Sequence, residues 1–497
     1  MKTFSAFLLA GVATIALAGS ALADPRDDKI KALEAKLDAL AGELKELKAD
    51  KATESQKVEA QIIDLKRNAT AQYVDVQKQR DEDVKVTLAN GRPTFASADG
   101  KFSASLRSLV QYDTAYYSQD NRARSGTDLS SSSVFRRARV GVEGKVFGDW
   151  SYSFIYDLGG SGAEGSTVSN FYVQYDGFKN VKFRTGAYAT PGGIEDQTSA
   201  GDLIFLERAA APDLARSIAG ADGRKNFLSV FSSGDNYYAA LSWSGAKAGD
   251  AAVFDGQQAA VGFVAFRPYS DPDSNIVVSA NGTYVFKVAD TAASLGATGT
   301  SPINYQARLE SVVDGTRLIG TGNINATKAK IWGTEVAGNW KNLYAQAGYF
   351  GFSLDRRAST LPNPNFDGWY VQGTWILTGE TRRYNTASAT YGSPRPDKPF
   401  SLKNGGIGAW ELAARYSVLD LNYNPGVLGS TVPAALGGIR GGKQKTATAG
   451  LNWYPNNAVR FLFNYERADI HRLATVAPFG EIGQSVDVLT ARAQLQF

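Results

Sequence analysis

Arginine and lysine recur at every second position in several segments of this chain, a spacing that directs side chains to one face of a β-strand. Arg137 and Arg139 show this spacing, as do Lys182 and Arg184. A guanidinium stays charged at physiological pH, and its planar fork matches the oxygens of a phosphate or a carboxylate. Rows of such side chains along an aqueous passage predict a site that attracts and holds small anions.

The segments that carry these charges have the pattern of amphipathic strands. In residues 489–497, Leu489 and Leu495 share one face, whereas Arg492 and Gln494 share the other. An apolar face beside a polar face, with period two, is typical of a transmembrane β-strand whose outside meets lipid and whose inside meets water.

Aromatic residues mark the face that we expect to meet lipid. Trp150, Tyr152 and Phe154 lie on one side of a strand, and Phe461 and Phe463 lie on one side of another. Tryptophan and tyrosine gather toward strand ends, as they do at the two interfaces of a membrane. A soluble sandwich is the alternative, but it would have to pack two such faces together and leave many tryptophans outward.

The connections between the predicted strands alternate in length. Residues 148–149 and 455–457 form tight turns, whereas 159–169, 189–222, 380–407 and 469–484 are long. If the first strand leaves the periplasm, this alternation places all the long connections outside and returns the last strand to the periplasm. The sequence therefore predicts an all-β fold over residues 101–497, a sixteen-stranded antiparallel transmembrane β-barrel.

Strand parity assigns the side chains that face the interior. The longest connection, 189–222, follows the fifth strand, the place at which barrels of similar outer-membrane channels fold a loop inward to narrow the passage, and we expect the same here. The residues that we expect to line the passage and bind anions are Arg107, Arg137, Arg139, Lys145, Lys182, Arg184, Arg208, Arg216, Arg224, Lys225, Arg415, Arg460 and Arg492. Parity and barrel closure also suggest that Arg107 and Arg492 lie close together. Two alternatives stay open: a mixed wall that only sets a transverse field, since Glu143, Glu411 and Glu466 accompany the arginines, and an exposed surface loop at 189–222.

The N-terminal part of the chain has a different pattern. Residues 1–23 read as a signal peptide, with a positive start, a short apolar run and the cleavage site Ala21-Leu22-Ala23. Residues 24–66 carry leucines at alternating spacings of three and four, which predicts a coiled-coil helix. A single amphipathic helix resting on another surface is the alternative. Residues 67–100 are polar and mixed, and we interpret them as a linker.

Several other classes of protein are excluded by composition. The chain has no cysteine, so it is not a disulfide scaffold, and its net charge of +4 is too small for a nucleic-acid binder. His471 is the only histidine and lacks the companions that a metal site or a hydrolase needs. Residues 160–165 satisfy the spacing of a dinucleotide motif, but a strand pattern follows them rather than a helix. We therefore predict no enzymatic activity and no cofactor or metal.

With these residues in view, the chain resembles the phosphate-selective porin O and P family. Its second strand contains Phe135-Arg136-Arg137-Ala138-Arg139, and its long loop contains Phe205-Leu206-Glu207-Arg208. The other stretches that carry the resemblance are 140–144, 150–152, 156–157, 370–373, 377–380, 450–456, 459–461 and 464–465. One departure is that 198–201 lacks the lysine that well-known phosphate-selective members place in the constriction loop.

The resemblance implies a trimer of sixteen-stranded barrels in the bacterial outer membrane, each with a pore for phosphate, polyphosphate or related small anions. We expect outer-membrane lipid around the barrel and the coiled coil on the periplasmic side. Two other functions remain as alternatives. One is a weakly selective or sugar-passing channel, and the other is an envelope tether whose coiled coil reaches the cell wall.

Overall fold

A computed structural model describes residues 25–82, 84–89, 91–120, 127–159, 167–220, 225–248, 255–292 and 298–497. The predicted signal peptide 1–23 and Arg224 lie outside these residues. The chain divides into two compact units, residues 1–82 and 83–497. Among the described residues, no helix combines the length and the apolar character that crossing a membrane requires.

The described residues of the first unit form one helix, α1 (Pro25–Glu82). It continues beyond the predicted end at residue 66, because residues 67–82 contain neither glycine nor proline to interrupt it. The interpretation of 67–100 as a linker is therefore wrong for this stretch. Leu33, Leu37, Leu40 and Leu44 are all exposed on α1.

The second unit is an antiparallel barrel of sixteen strands, as predicted, and it closes where the last strand pairs with the first. The strands are β1 (Ser103–Gln119), β2 (Ser132–Val146), β3 (Trp150–Asp157), β4 (Thr167–Tyr175), β5 (Val181–Ala187), β6 (Lys225–Ser233), β7 (Tyr237–Lys247), β8 (Gln258–Ser270), β9 (Ser274–Lys287), β10 (Ala326–Trp340), β11 (Leu343–Arg356), β12 (Asn365–Ile376), β13 (Ala409–Tyr423), β14 (Ile439–Tyr454), β15 (Val459–His471) and β16 (Ser485–Gln496).

Burial alternates along the strands as the sequence pattern predicts. On β16, Leu489 is exposed, whereas its neighbours Val488 and Thr490 are buried inside the barrel. The outer wall carries aromatic pairs near the strand ends, among them Trp150 beside Tyr175. Because the outer face is apolar and the barrel has no free edge, its strands can meet hydrocarbon without leaving backbone groups unpaired.

One predicted connection lies at the opposite end of the barrel. The segment between β12 and β13, which contains 380–407, follows an even-numbered strand and shares its end with the short turns. The amide of Phe400, for example, donates to the carbonyl of Pro455 in the β14–β15 turn (2.7 Å). The expectation that all long connections lie at one end is therefore wrong, because loop length alone does not reveal strand parity.

Three connections fold into the barrel rather than covering it. The β5–β6 connection contains two helices, α2 (Ile194–Gln197) and α3 (Ala210–Ala219). The β9–β10 connection inserts a short hairpin, Gln306–Arg308 paired with Arg317–Gly320. The β12–β13 connection inserts a second one, Tyr384–Asn385 paired with Thr390–Tyr391.

The inserted segments need an apolar core of their own, so the inner wall is not polar throughout. Val486 and Val488 of β16 face inward and are fully buried in a cluster with Tyr305 and Ile319 of the β9–β10 connection. Burying these side chains beside the inserted segments removes apolar surface from water and fixes the segments in place. Inward-facing polar residues are therefore concentrated in only part of the lumen.

A hairpin precedes the barrel. Lys85–Ala89 pairs with Arg92–Ala96, and Thr94–Ala96 then pairs with the start of β1. The predicted linker is thus a β-hairpin at this point. Arg92 lies against Glu143 of β2 (3.2 Å), so the hairpin contributes a charge to the short-turn mouth of the barrel.

Candidate functional site

The strongest concentration of charge in the lumen surrounds a cavity of about 390 Å³, the upper cavity. Eight basic side chains and four acidic ones line it. The basic residues are Arg136, Arg137, Arg139, Lys182, Arg184, Arg208, Arg216 and Arg308, and the acidic residues are Asp157, Asp196, Glu207 and Asp213. Strands β2, β4 and β5 form one side of the cavity, and the β5–β6 connection forms the other.

The β5–β6 connection is held against the wall at both of its helices. The carboxylate of Glu335 on β10 accepts the amides of Ile194 (2.6 Å) and Glu195 (3.0 Å) at the start of α2. Glu310 accepts the amide of Ala210, the first residue of α3 (2.8 Å). A carboxylate at a helix N-terminus satisfies free N–H groups and favours the helix dipole. The β5–β6 connection is therefore held by side chains of β10 and of the β9–β10 connection.

Between the two helices, Glu207 joins three arginines of the wall. Its carboxylate contacts Arg137 (2.9 Å), Arg136 (3.0 Å) and Arg492 (3.2 Å). Burial favours the neutral acid, but the positive charges of Arg136, Arg137 and Arg492 outweigh it and hold the pKa of Glu207 well below its usual range. Glu207 is therefore an anion already bound by the chain, and it shows that this wall can hold a carboxylate.

Sequence reasoning missed Arg136, which parity assigned to the outer face. A β-bulge shifts the register at this point, because Gln111 pairs with Arg137 while Tyr112 pairs with Phe135. The extra residue turns Arg136 inward beside Arg137, and both are buried. Two adjacent arginines in a strand were the available signal, since one of them would otherwise face lipid.

Two of the predicted loop cations stabilise α2. Arg208 donates to the carbonyls of Glu195 (3.0 Å), Asp196 (2.9 Å) and Thr198 (2.5 Å), which lie within or just after the helix. Arg216 of α3 pairs with the carboxylate of Asp196 (2.5 Å). The two guanidiniums therefore border the cavity and also fix the loop that forms its wall.

Three predicted wall arginines contact the inserted segments. Arg492 binds Asp113 through two bonds of 2.6 Å and donates to the carbonyl of Leu206 (2.7 Å). Arg415 pairs with Glu310 (2.6 Å). Arg460 donates to the carbonyl of Gly201 (3.2 Å) and its guanidinium lies 4.9 Å from the ring centre of Tyr454.

The remaining predicted cations of the upper cavity make fewer contacts with carboxylates of the chain. Arg184 donates to Gln174 (2.8 Å) and stacks over Tyr172 at 4.1 Å, and in the described part of the chain it forms no ion pair. Among the residues that the structure describes, the ion pair of Lys182 is a long one, with Asp176 (3.6 Å). Arg139 binds Asp157 through its Nε (2.7 Å), and it borders the upper cavity.

A second, larger cavity of about 1260 Å³ lies toward the short-turn end, the lower cavity. Arg107 and Arg460 border it together with Arg383 and Arg395 of the β12–β13 connection. The two cavities share four wall residues, Arg139, Ser169, Asn170 and Ser199. Arg139 therefore lies at the boundary between the two cavities.

Some predicted site residues are not brought to either cavity. Lys145 is exposed near the β2–β3 turn, and Lys225 borders neither cavity. The predicted proximity of Arg107 and Arg492 is wrong. Arg492 lies opposite Asp113, six residues along β1 from Arg107, which is about 20 Å of strand. No group of three or more acidic or histidine side chains that could hold a metal occurs among the described residues.

A closed sixteen-stranded barrel with an apolar exterior, a charged lumen and an inward-folded loop after the fifth strand defines the class of outer-membrane channel proteins. Residues 102–497 match the family model of the phosphate-selective porins O and P, and the chain belongs to this family.

Two relatives and one solved structure are similar to it. Porin O of Pseudomonas aeruginosa is 28% identical over 407 residues, covering 78% of this chain and 88% of that protein. A Caulobacter vibrioides protein described as uncharacterized is 28% identical over 437 residues, covering 82% and 76% respectively. The anion-selective porin from Comamonas acidovorans aligns with a TM-score of 0.46 at 12% identity, over 80% of this chain and 100% of that chain.

Proposed function

We propose that this protein is a passive channel for small anions, with phosphate or polyphosphate as the favoured class, and that the upper cavity is its binding zone. The observation that carries the proposal is the excess of eight basic over four acidic side chains around that cavity. Such an excess raises the local concentration of anions and opposes the entry of cations.

Within the cavity, Arg184, Lys182 and Arg139 are the side chains that we assign to passing anions. The ring of Tyr172 fixes the guanidinium of Arg184 from one face, and Gln174 holds its Nε, so its outer edge is oriented before an anion arrives. A cation prepared in this way loses little side-chain freedom on binding. Four other arginines instead shape the passage, because their guanidiniums pair with carboxylates of the chain: Arg136, Arg137, Arg415 and Arg492.

Planar-bilayer recording of the purified protein tests the proposal. In a potassium chloride gradient we expect a reversal potential that indicates anion preference, and added phosphate should reduce the chloride current. A cation-selective reversal potential would refute the proposal, and an absent phosphate effect would favour the weakly selective or sugar-passing alternative.

Arg184→Gln locates the site. Each charge-assisted hydrogen bond contributes about 1.5–3 kcal/mol, so the substitution should weaken phosphate block about 10-fold or more. Arg467→Gln is a matched control, because Arg467 points outward on β15 and pairs with Asp487 (2.7 Å). Equal effects of the two substitutions would remove Arg184 from the site.

We further propose that the channel is a homotrimer and that α1 forms a periplasmic coiled coil. The exposed leucine row of α1 supports this, since a leucine seam is normally buried against partner helices. Deleting residues 26–66 should lower the melting temperature of the trimer. An unchanged melting temperature together with detachment of the envelope in cells would favour the tether, in which α1 contacts the cell wall.

A further inference from the structure

Residues 398–408 of the β12–β13 connection leave the lumen and lie on the outer rim of the short-turn end; we call them the rim loop. Three of their side chains are apolar and exposed: Leu402 at 92%, Ile407 at 59% and Phe400 at 43%. An apolar side chain as exposed as Leu402, at the tip of an ordered turn, indicates an interaction surface.

The rim loop is fixed to the outer wall and does not hang freely. The indole N–H groups of Trp410 and Trp453 both donate to the carbonyl of Ile407 (3.2 and 2.9 Å). The ring of Phe400 lies 5.2 Å from that of Trp453. Both tryptophans point outward, since the residues beside them, Glu411 and Asn452, are buried inside the barrel.

The same tryptophans connect the rim loop to the aromatic girdle of the barrel. Trp410 and Phe461 each stack on Trp453 with ring centres 5.5 Å apart. Aromatic rings of this kind mark the depth at which hydrocarbon meets lipid headgroups. The rim loop is therefore attached to the barrel at the depth of the membrane interface.

The charge of the rim loop has one sign. Residues 398–408 contain Lys398 and Lys403 and no acidic residue. Lysines beside an apolar tip suit a surface of lipid phosphates, where the side chain can extend its ammonium to the headgroups.

We propose that the rim loop is a membrane anchor that inserts Leu402 into the lipid leaflet at the short-turn end, with Lys398 and Lys403 contacting lipid phosphates. A second copy of this chain is a poorer partner, because three apolar side chains fall far short of the ~800 Å² per partner of a stable protein interface. The proposal depends on the barrel lying in a membrane and is independent of anion selectivity.

The absence of cysteine from the chain allows a direct test in the full-length protein. Leu402→Cys is labelled with an environment-sensitive fluorophore and reconstituted in phosphatidylcholine–phosphatidylglycerol vesicles with brominated acyl chains. Leu489→Cys (58% exposed on β16) is the control within the lipid, and Leu428→Cys (64% exposed in the β13–β14 connection at the other end) is the control outside it.

We expect brominated lipid to quench the label at position 402 as strongly as at position 489 and several-fold more than at position 428. Quenching equal to that at position 428 would overturn the proposal, and so would a label shielded from both lipid and aqueous iodide, which would indicate a protein partner. If Leu402→Cys fails to fold, Asn404→Cys in the same turn replaces it. In the Leu402→Cys background, Lys398→Gln with Lys403→Gln should reduce quenching in phosphatidylglycerol vesicles, and an unchanged signal would remove the headgroup contact.

Discussion

The substitution Glu207→Gln tests whether one carboxylate fixes the β5–β6 connection inside the barrel. Glu207 contacts Arg136, Arg137 and Arg492, and the four side chains are all buried. Removing one partner from a buried ion pair typically costs about 3–5 kcal/mol, because the other charge stays buried. Arg492 keeps Asp113 and Arg137 keeps Gln111, so we expect the lower end of that range, about 3 kcal/mol.

The experiment has three readouts, and each has a physical reason. Urea unfolding of the purified channel should show the loss of free energy directly. Limited trypsin digestion should show faster cleavage after Arg208 and Arg216, which are buried while the loop is docked. The reversal potential should also move toward stronger anion preference, because the upper cavity loses one of its four acidic charges.

Glu380→Gln is the matched control for this experiment. Glu380 is also a buried glutamate of an inserted connection, but its carboxylate bonds to the Thr378 hydroxyl and the Asp397 amide rather than to a guanidinium. We expect a smaller loss of unfolding free energy and unchanged cleavage of the β5–β6 connection. If Glu207→Gln changes the unfolding free energy and the cleavage rate no more than Glu380→Gln does, Glu207 does not fix the β5–β6 connection.

The pH dependence of Glu207, the β12–β13 connection and the leucine row of α1 can each be tested as well. Folding lowers the pKa of Glu207, so the stability that its carboxylate contributes is complete above its unfolded pKa of about 4.3 and is lost as the pH falls through the lower folded pKa. Urea unfolding measured as a function of pH should show this loss in the parent protein and not in Glu207→Gln. Arg382→Ala leaves Glu411 buried without its guanidinium, so the β12–β13 insert should loosen and single-channel conductance should rise. Leu37→Asp with Leu40→Asp should lower the trimer melting temperature, and an unchanged value would argue against a coiled coil.

The strand pattern could be predicted from the sequence because side-chain parity is a local property. Residues 489–497 alternate in type, and the structure buries Arg492 while it exposes Leu489. The same reasoning places Arg137 and Arg139 inside the barrel. The strand number and the closure of the barrel agree with the prediction, since both follow from counting amphipathic segments.

What the arginines contact could not be predicted from parity. Glu207 is 70 residues from Arg137 and 285 from Arg492 along the chain, and only the inward fold of the loop brings their side chains together. The bulge at Arg136 likewise depends on its partner strand β1. Pairing of this kind depends on tertiary packing, so a list of inward cations does not reveal which of them stay available to an anion.

The class of this protein could be recognised without a structure, because the period of two and the apolar rows are local features that constrain where each strand can lie. Which charged side chains pair with one another and which border the two cavities depends on tertiary packing. The β12–β13 connection shows the reason most directly, since its position at the short-turn end depends on contacts with Glu411 and Pro455, which are distant from it in sequence. Long-range contacts carry no periodic signal, whereas strand faces do.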